Sequence, residues 1–255
     1  SNGESAKAFD EYARALAADP GSVELMLRLS EFLSSAGDPG RALELADRAL
    51  ATSPDEPRAL WLRGAALFNL GRTREALEPL GRAVERDSTN VDYWRTLARA
   101  AETEDRGPLV ERAWSRVTTY DEEDGEAWFQ LAAIRARFGR FGAADTALRR
   151  ALDLNPTRPG AFFLSGWIRE GLGDADGAIQ LYRNHLSLHR NDLQTRRRLT
   201  MLLAQRGRFR EALGEADRIV AARRSRRCCR ATGARRSRGC SPSPPTTPRS
   251  RSARS

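Results

Sequence analysis

Cysteine is absent from residues 1–222; the three in the chain, Cys228, Cys229 and Cys240, all lie beyond that point. The body therefore offers no disulfide framework and no thiolate metal site. Lysine is reduced to Lys7, and histidine to His185 and His189. No stretch approaches 18 consecutive apolar residues and 30% of the chain is charged, so nothing reads as a membrane-spanning helix. There is no phosphate-binding G-x-x-x-x-G-K-S/T, no H-E-x-x-H, and no dinucleotide-type G-x-G-x-x-G following a strand. Residue 1 is Ser, and no basic-then-apolar leader precedes the first helical pattern; the native N-terminus is expected to be missing, and the compartment stays open with the cytoplasm slightly favoured.

The 255 residues, 40% of them hydrophobic, suffice for a sizeable core. The net charge of +9 suggests a polyanion partner until it is divided along the chain. Residues 223–255 hold eleven Arg and no acid, which leaves 32 basic against 34 acidic groups in the body. The body is thus near neutral and the excess sits in the tail. That tail, "RRSRRCCRATGARRSRGCSPSPPTTPRSRSARS", has no Leu, Ile, Val or aromatic residue and is expected to be disordered. Three readings compete for it. An Arg-rich arm would bind nucleic acid non-specifically. A natural linker or modified tail is the second. The favoured third is sequence read out of frame: 31 Arg against one Lys in the body implies GC-rich coding, and the tail begins where a repeating pattern breaks off.

That pattern organises everything before it. Gly3, Gly37, Gly71, Gly139, Gly173 and Gly207 fall on one 34-residue grid, with Asp105 the sole substitute. Five residues on come Ala8, Ala42, Ala76, Val110, Ala144, Ala178 and Ala212; seven further come Ala15, Ala49, Ala83, Val117, Ala151, His185 and Ile219. Pro20, Pro54 and Pro156 mark unit ends, and no insertion breaks the register. Each unit reads as two amphipathic helices: Ala42, Leu43, Ala46, Ala49 and Leu50 form an apolar stripe that one helix pair cannot cover, so neighbouring units must. The grid glycine supplies the turn between the helices. Pro39, Pro57, Pro108 and Pro159 fall at predicted helix starts, whereas Pro79 lies inside a helix and predicts a kink.

With Ser30, Gly64, Ala98, Ala132, Gly166 and Thr200 at a small-residue position, and Met26, Leu60, Trp94, Trp128 and Phe162 at a bulky one, the chain resembles the tetratricopeptide repeat family. The resemblance implies an all-α fold: a right-handed α-solenoid of 34-residue helix-turn-helix repeats over residues 1–222. It comprises a half repeat at 1–22, then repeats starting at 23, 57, 91, 125, 159 and 193, followed by the disordered Arg/Ser/Pro-rich tail at 223–255. Departures are Arg63, Arg135, Arg169 and Arg196 at usually apolar positions, His185 at a small one, and a third unit without its Gly and Ala marks.

No catalytic residue, metal site or cofactor is expected. His185 and His189 are four apart but lack a third ligand, and "DEED" at 121–124 reads as a solvated loop and helix start. The family resemblance directs certain first-helix positions into a concave groove. Here these give an aromatic strip of Trp61, Phe129, Phe163 and Trp167 bordered by Arg95, Arg99 and Arg197, while the carboxylate clamp of chaperone-binding relatives is absent. Aromatic and Arg side chains dominate interface energetics, so the expected function is a non-enzymatic scaffold holding a partner polypeptide, an apolar or acidic segment, in that groove. The bland alternative packs the same rings between adjacent units. Two further readings are a docking arm of a larger glycosyl- or sulfotransferase-type enzyme, and nucleic-acid binding through the tail.

Overall fold

The computed structural model describes the backbone of residues 2–231 and the side chains of residues 9–223. Thirteen helices and no strand occur among the described residues. They are α1 (Asn2–Ala18), α2 (Val23–Ser35), α3 (Pro39–Thr52), α4 (Pro57–Asn69), α5 (Thr73–Arg86), α6 (Val91–Thr103) and α7 (Gly107–Tyr120). There follow α8 (Gly125–Arg137), α9 (Phe141–Leu154), α10 (Ala161–Gly171), α11 (Ala175–Leu188), α12 (Leu193–Gln205) and α13 (Phe209–Ala231). Two compact units are distinguished, one up to His185 and one from Leu186.

The 34-residue grid is a backbone fact. Second helices begin at Pro39, Thr73, Gly107, Phe141, Ala175 and Phe209, and first helices at Val23, Pro57, Val91, Gly125 and Leu193. The grid residue between each first and second helix is left-handed: Gly37, Gly71, Gly139, Gly173 and Gly207 have φ of 72–85°, and Asp105 has 52°. Each closes the same double hydrogen bond. Gly71 N–H donates to Phe68 and Arg72 N–H to Leu67; Asp105 and Arg106 do the same to Glu102 and Ala101, and Gly139 and Arg140 to Ala136 and Arg135. This C-terminal motif satisfies carbonyls the helix would otherwise leave bare, and it needs a left-handed residue at its centre. Gly3 differs, lying inside α1.

Small residues let the paired helices close up. A Cβ added at Gly64 would lie 2.5 Å from Leu80 Cγ, and one at Gly166 2.6 Å from the Tyr182 ring. Ala42, Ala76, Ala144 and Ala178, and Ala49, Ala83, Val117 and Ala151, are fully buried. The third repeat forms without the family marks because larger residues fill the same space: Trp94, Leu97, Val110, Trp114 and Val117 are all buried. Prolines sit where φ suits them, Pro39, Pro57 and Pro108 at helix starts. Helix α5 continues through Pro79 as one element.

One start departs from the grid. Helix α10 begins two residues late because Pro159 and Gly160 stay outside it, Gly160 adopting φ 81° at the N-cap. Phe162, at the bulky position of this repeat, is exposed. The out-of-place arginines are each held by an acid: Arg63 by Asp47 at 2.8 Å, Arg135 by Glu111 at 3.6 Å and Arg169 by Asp174 at 3.4 Å. Arg196, buried within the second unit, pairs with Glu215 and donates to the Arg190 carbonyl at 2.6 Å. A buried guanidinium is tolerated only with such partners.

Helix α13 runs on through residues 223–231, into the segment expected to be disordered. Residues 232–255, on which the remaining tail readings fall, lie outside the described residues.

Asp105 tests the turn. Asp tolerates the left-handed region better than most residues but less well than Gly. Asp105→Gly should raise the urea midpoint by the equivalent of about 0.5–1 kcal/mol, and Gly71→Ala should lower stability by about 1 kcal/mol, both measured by circular dichroism. Equal midpoints for wild type and Asp105→Gly would remove the turn from the list of constraints.

Candidate groove-wall site

Within the first unit, first helices meet across repeats: α2 touches α4, α4 touches α6 and α8 touches α10. Successive second helices scarcely meet among the described residues. The first helices therefore form the tighter, inner wall of this unit, and the residues on their free faces constitute the candidate site.

The aromatic residues are neither free nor sealed. Trp61 is half-buried: its ring stacks on Tyr93 of the next first helix at 5.6 Å, and its Nε1–H donates to Thr96 Oγ1 at 2.9 Å. Burial, with the Asp87 carboxylate adding to it, pushes the Tyr93 phenol up to about 12, so the ring beneath Trp61 stays neutral. Phe129 is half-buried too, with the Arg158 guanidinium 4.5 Å from its centroid. Phe163 sits among Trp167, Tyr182 and His185, with centroids 5.8–6.4 Å apart. Each ring thus spends one face on its own or the adjoining repeat and keeps part of its surface open.

The arginines divide more sharply. Arg95 is enclosed by three carboxylates, Asp92 at 3.0 Å, Asp121 at 2.8 Å and Asp124 at 2.9 Å. Asp124 also caps α8, accepting from the Ala127 N–H at 2.9 Å. The 121–124 run is therefore a loop and helix start whose acids neutralise Arg95. Arg99 is exposed and lies over Phe68, 5.5 Å from the centroid. Arg197 is exposed on α12, in the second unit.

Several residues that shape this wall escaped the sequence reading. Arg58 makes a two-pronged bond to Glu31, both contacts 2.6 Å, and reaches Glu24 at 3.2 Å. Those bonds, Glu31 first, hold its guanidinium more firmly charged than usual. Glu126 pairs with Arg158 and accepts from Gln130 at 2.8 Å. The signal was available: Glu24 and Arg58 lie one period apart, Glu126 and Arg158 nearly so, and residues one period apart are neighbours in a repeat array.

His185 is buried against Phe163, whereas His189 is exposed beyond the end of α11. No group of three or more potential metal-ligating side chains occurs among the described residues, and no described helix is long and apolar enough to cross a membrane.

Family models described as tetratricopeptide repeat match residues 33–100 and 131–192. The chain belongs to the tetratricopeptide repeat family. Members generally mediate protein–protein interaction and are typically non-catalytic scaffolds. A curated relative, the TPR repeat-containing protein YpiA of Bacillus subtilis, is 24% identical over 136 residues. That match covers 53% of this chain and 32% of the relative, so the chain spans about a third of the relative's length. Among solved structures, YrrB, described as a TPR protein with an unusual peptide-binding site, aligns with a TM-score of 0.66 at 19% identity, covering 72% of this chain and 94% of YrrB. Pseudomonas aeruginosa pilF aligns with a TM-score of 0.62 at 16% identity, covering 77% and 89%. At these identities the likeness concerns the repeat fold.

The hydrogen bond from Arg158, ahead of burial, holds the Glu126 carboxyl below its usual 4.5. A depressed carboxylate contributes stability that is present above the ordinary pKa and lost as pH falls through the folded value. In an NMR titration Glu126 should therefore titrate below 4.5, and Arg158→Gln should return it toward 4.5. The pair's share of the stability difference between the two proteins should vanish at acid pH; a Glu126 midpoint unmoved by Arg158→Gln would show the pair to be inert.

Proposed function

We propose that the inner wall of the first unit holds a segment of a partner polypeptide and that the protein acts by binding, without chemistry of its own. The observation that carries this reading is the row of half-buried rings, Trp61, Phe129, Phe163 and Trp167, each braced on one side by a neighbour. A ring already held in place loses little freedom when a partner covers its open side, and this is how aromatic anchors come to dominate binding energy. The peptide-binding site named for YrrB supports the reading by analogy of fold.

The charge pattern narrows the partner. Arg58, Arg95 and Arg158 are each answered by acids of the same wall, so a strongly acidic ligand would have to displace existing pairs. The segment is therefore mainly apolar, with an acidic residue placed opposite Arg99, the exposed cation beside Phe68. Arg197 belongs to the second unit.

The reading is tested by selecting 12-residue peptides from a random display library against the whole chain. Enriched peptides should be apolar with one acid, and Phe129→Ala with Trp167→Ala should weaken them by about 1–4 kcal/mol in calorimetry while the helical spectrum is retained. Trp61→Ala should lower stability as well, since that ring bridges two repeats. Undiminished capture of the selected peptides by the double variant would refute the proposal.

A further inference from the structure

Second helices α1 and α3 flank an open groove over α2 with a volume of about 470 Å³. Leu29 and Leu33 of α2 form its floor, and Phe9, Leu16 and Leu45 its apolar sides. The volume falls in the range of small-molecule sites, and a helical rise of about 1.5 Å per residue makes the wall from Arg41 to Arg48 about 10 Å long.

Later grooves of the same kind are filled from within. One period on, Arg63 stands where Leu29 does and lies between α3 and α5, 2.8 Å from Asp47 and 3.7 Å from Glu78. Two periods on, Leu109 stands at the Arg41 position and packs half-buried on the core. Three periods on, Arg135 stands at the Leu33 position, 3.6 Å from Glu111 of α7 and donating to the Ala143 carbonyl of α9 at 3.4 Å. The first groove carries none of these fillers, and the acid positions of Asp47 and Glu111 hold Ala13 and Phe9.

The groove does not depend on a helix ahead of α1. In the next repeat the residue that reaches back to the preceding first helix is Arg58, through Glu24 and Glu31 of α2, whereas Arg63 reaches the second helices on either side. Leu29, at the Arg63 position, accordingly faces α1 and α3. A first helix preceding α1, seated on α2 as α2 seats on α4, would leave the groove open.

The rim indicates the head group of an occupant. Among the described residues the Arg48 guanidinium donates to the Pro20 carbonyl alone, at 3.4 Å, and Arg41 meets Asp38 at 3.6 Å. Both side chains are exposed and keep N–H donors open to an anion. Glu44, between them on the same helix face, limits that attraction to a single negative charge.

We propose that the groove between α1 and α3 binds a small amphiphile, its aliphatic tail laid on Leu29 and Leu33 and its single carboxylate head held by Arg48 and Arg41. The ligand takes the place that Arg63 and Arg135 fill in later repeats. The site is separate from the row of rings on the first-helix wall and does not rest on the function proposed for it.

The probe is octanoate, titrated into the full chain and followed by the amide chemical shifts of α1 to α3, with octylammonium and octanol as controls of equal tail. Octanoate should bind more tightly than octanol, and octylammonium more weakly than either. Affinity should rise about fourfold for each methylene added between hexanoate and octanoate, as burial of the tail requires. Ala13→Asp with Leu29→Arg copies the Asp47–Arg63 pair into this groove and should abolish binding while the helical spectrum is retained. Arg41→Gln with Arg48→Gln, both at exposed sites, should weaken octanoate at least fivefold and leave octanol unchanged. Octanoate binding that survives the filled groove, or that is absent from the wild-type chain, would overturn the proposal. Equal affinity for octanoate and octylammonium would overturn the assignment of the head.

Discussion

The first helices α2, α4, α6, α8, α10 and α12 each fold back onto their partners through a left-handed residue, and the remaining architecture depends on that turn. The double hydrogen bond closed at Gly37, Gly71, Asp105, Gly139, Gly173 and Gly207 sets where each second helix begins. Because the turn is the same length each time, the second helices start 34 residues apart throughout. A constant spacing brings the same grid positions into contact repeatedly, so one set of small residues serves every interface. Among the described residues, Asp105 marks the one point at which the chain keeps the conformation without the residue best suited to it.

The inner wall follows from the same regularity. With first helices stacked against one another, a side chain in one repeat lies beside those about 34 residues away, and opposite charges at that distance pair. Arg58 with Glu24 and Glu31, Arg95 with Asp121 and Asp124, and Arg158 with Glu126 tie successive repeats together. Such half-exposed pairs individually contribute little to stability. Their larger consequence is for the surface: they remove net charge from the wall and leave ring faces as its distinguishing chemistry.

Where the register is disturbed, local chemistry explains it. Pro159 and Gly160 stay outside α10, Gly160 turning left-handed at the N-cap, so the helix begins late, and Phe162 is exposed. Arginines at apolar positions survive because acids on adjacent helices reach them, as Glu215 reaches Arg196. These compensations change the surface of a repeat without changing its place in the array.

The period, the helical class, the turn positions and the buried small residues were all legible in the sequence, because a fixed spacing of Gly and Ala records a backbone constraint that acts locally and recurs. Even the third repeat was readable from Trp94, Leu97 and Ala98 in unbroken register. The aromatic strip could be named but not its state, since half-burial of Trp61 depends on Tyr93 and Thr96 arriving from the next repeat. Nor could composition reveal that Arg95 is enclosed by three aspartates while Arg99 stays exposed; both are arginines four residues apart on one helix. Local pattern decides which helices form and where they turn; which charges remain available is decided only when the helices stack, because pairing is a property of distances between repeats.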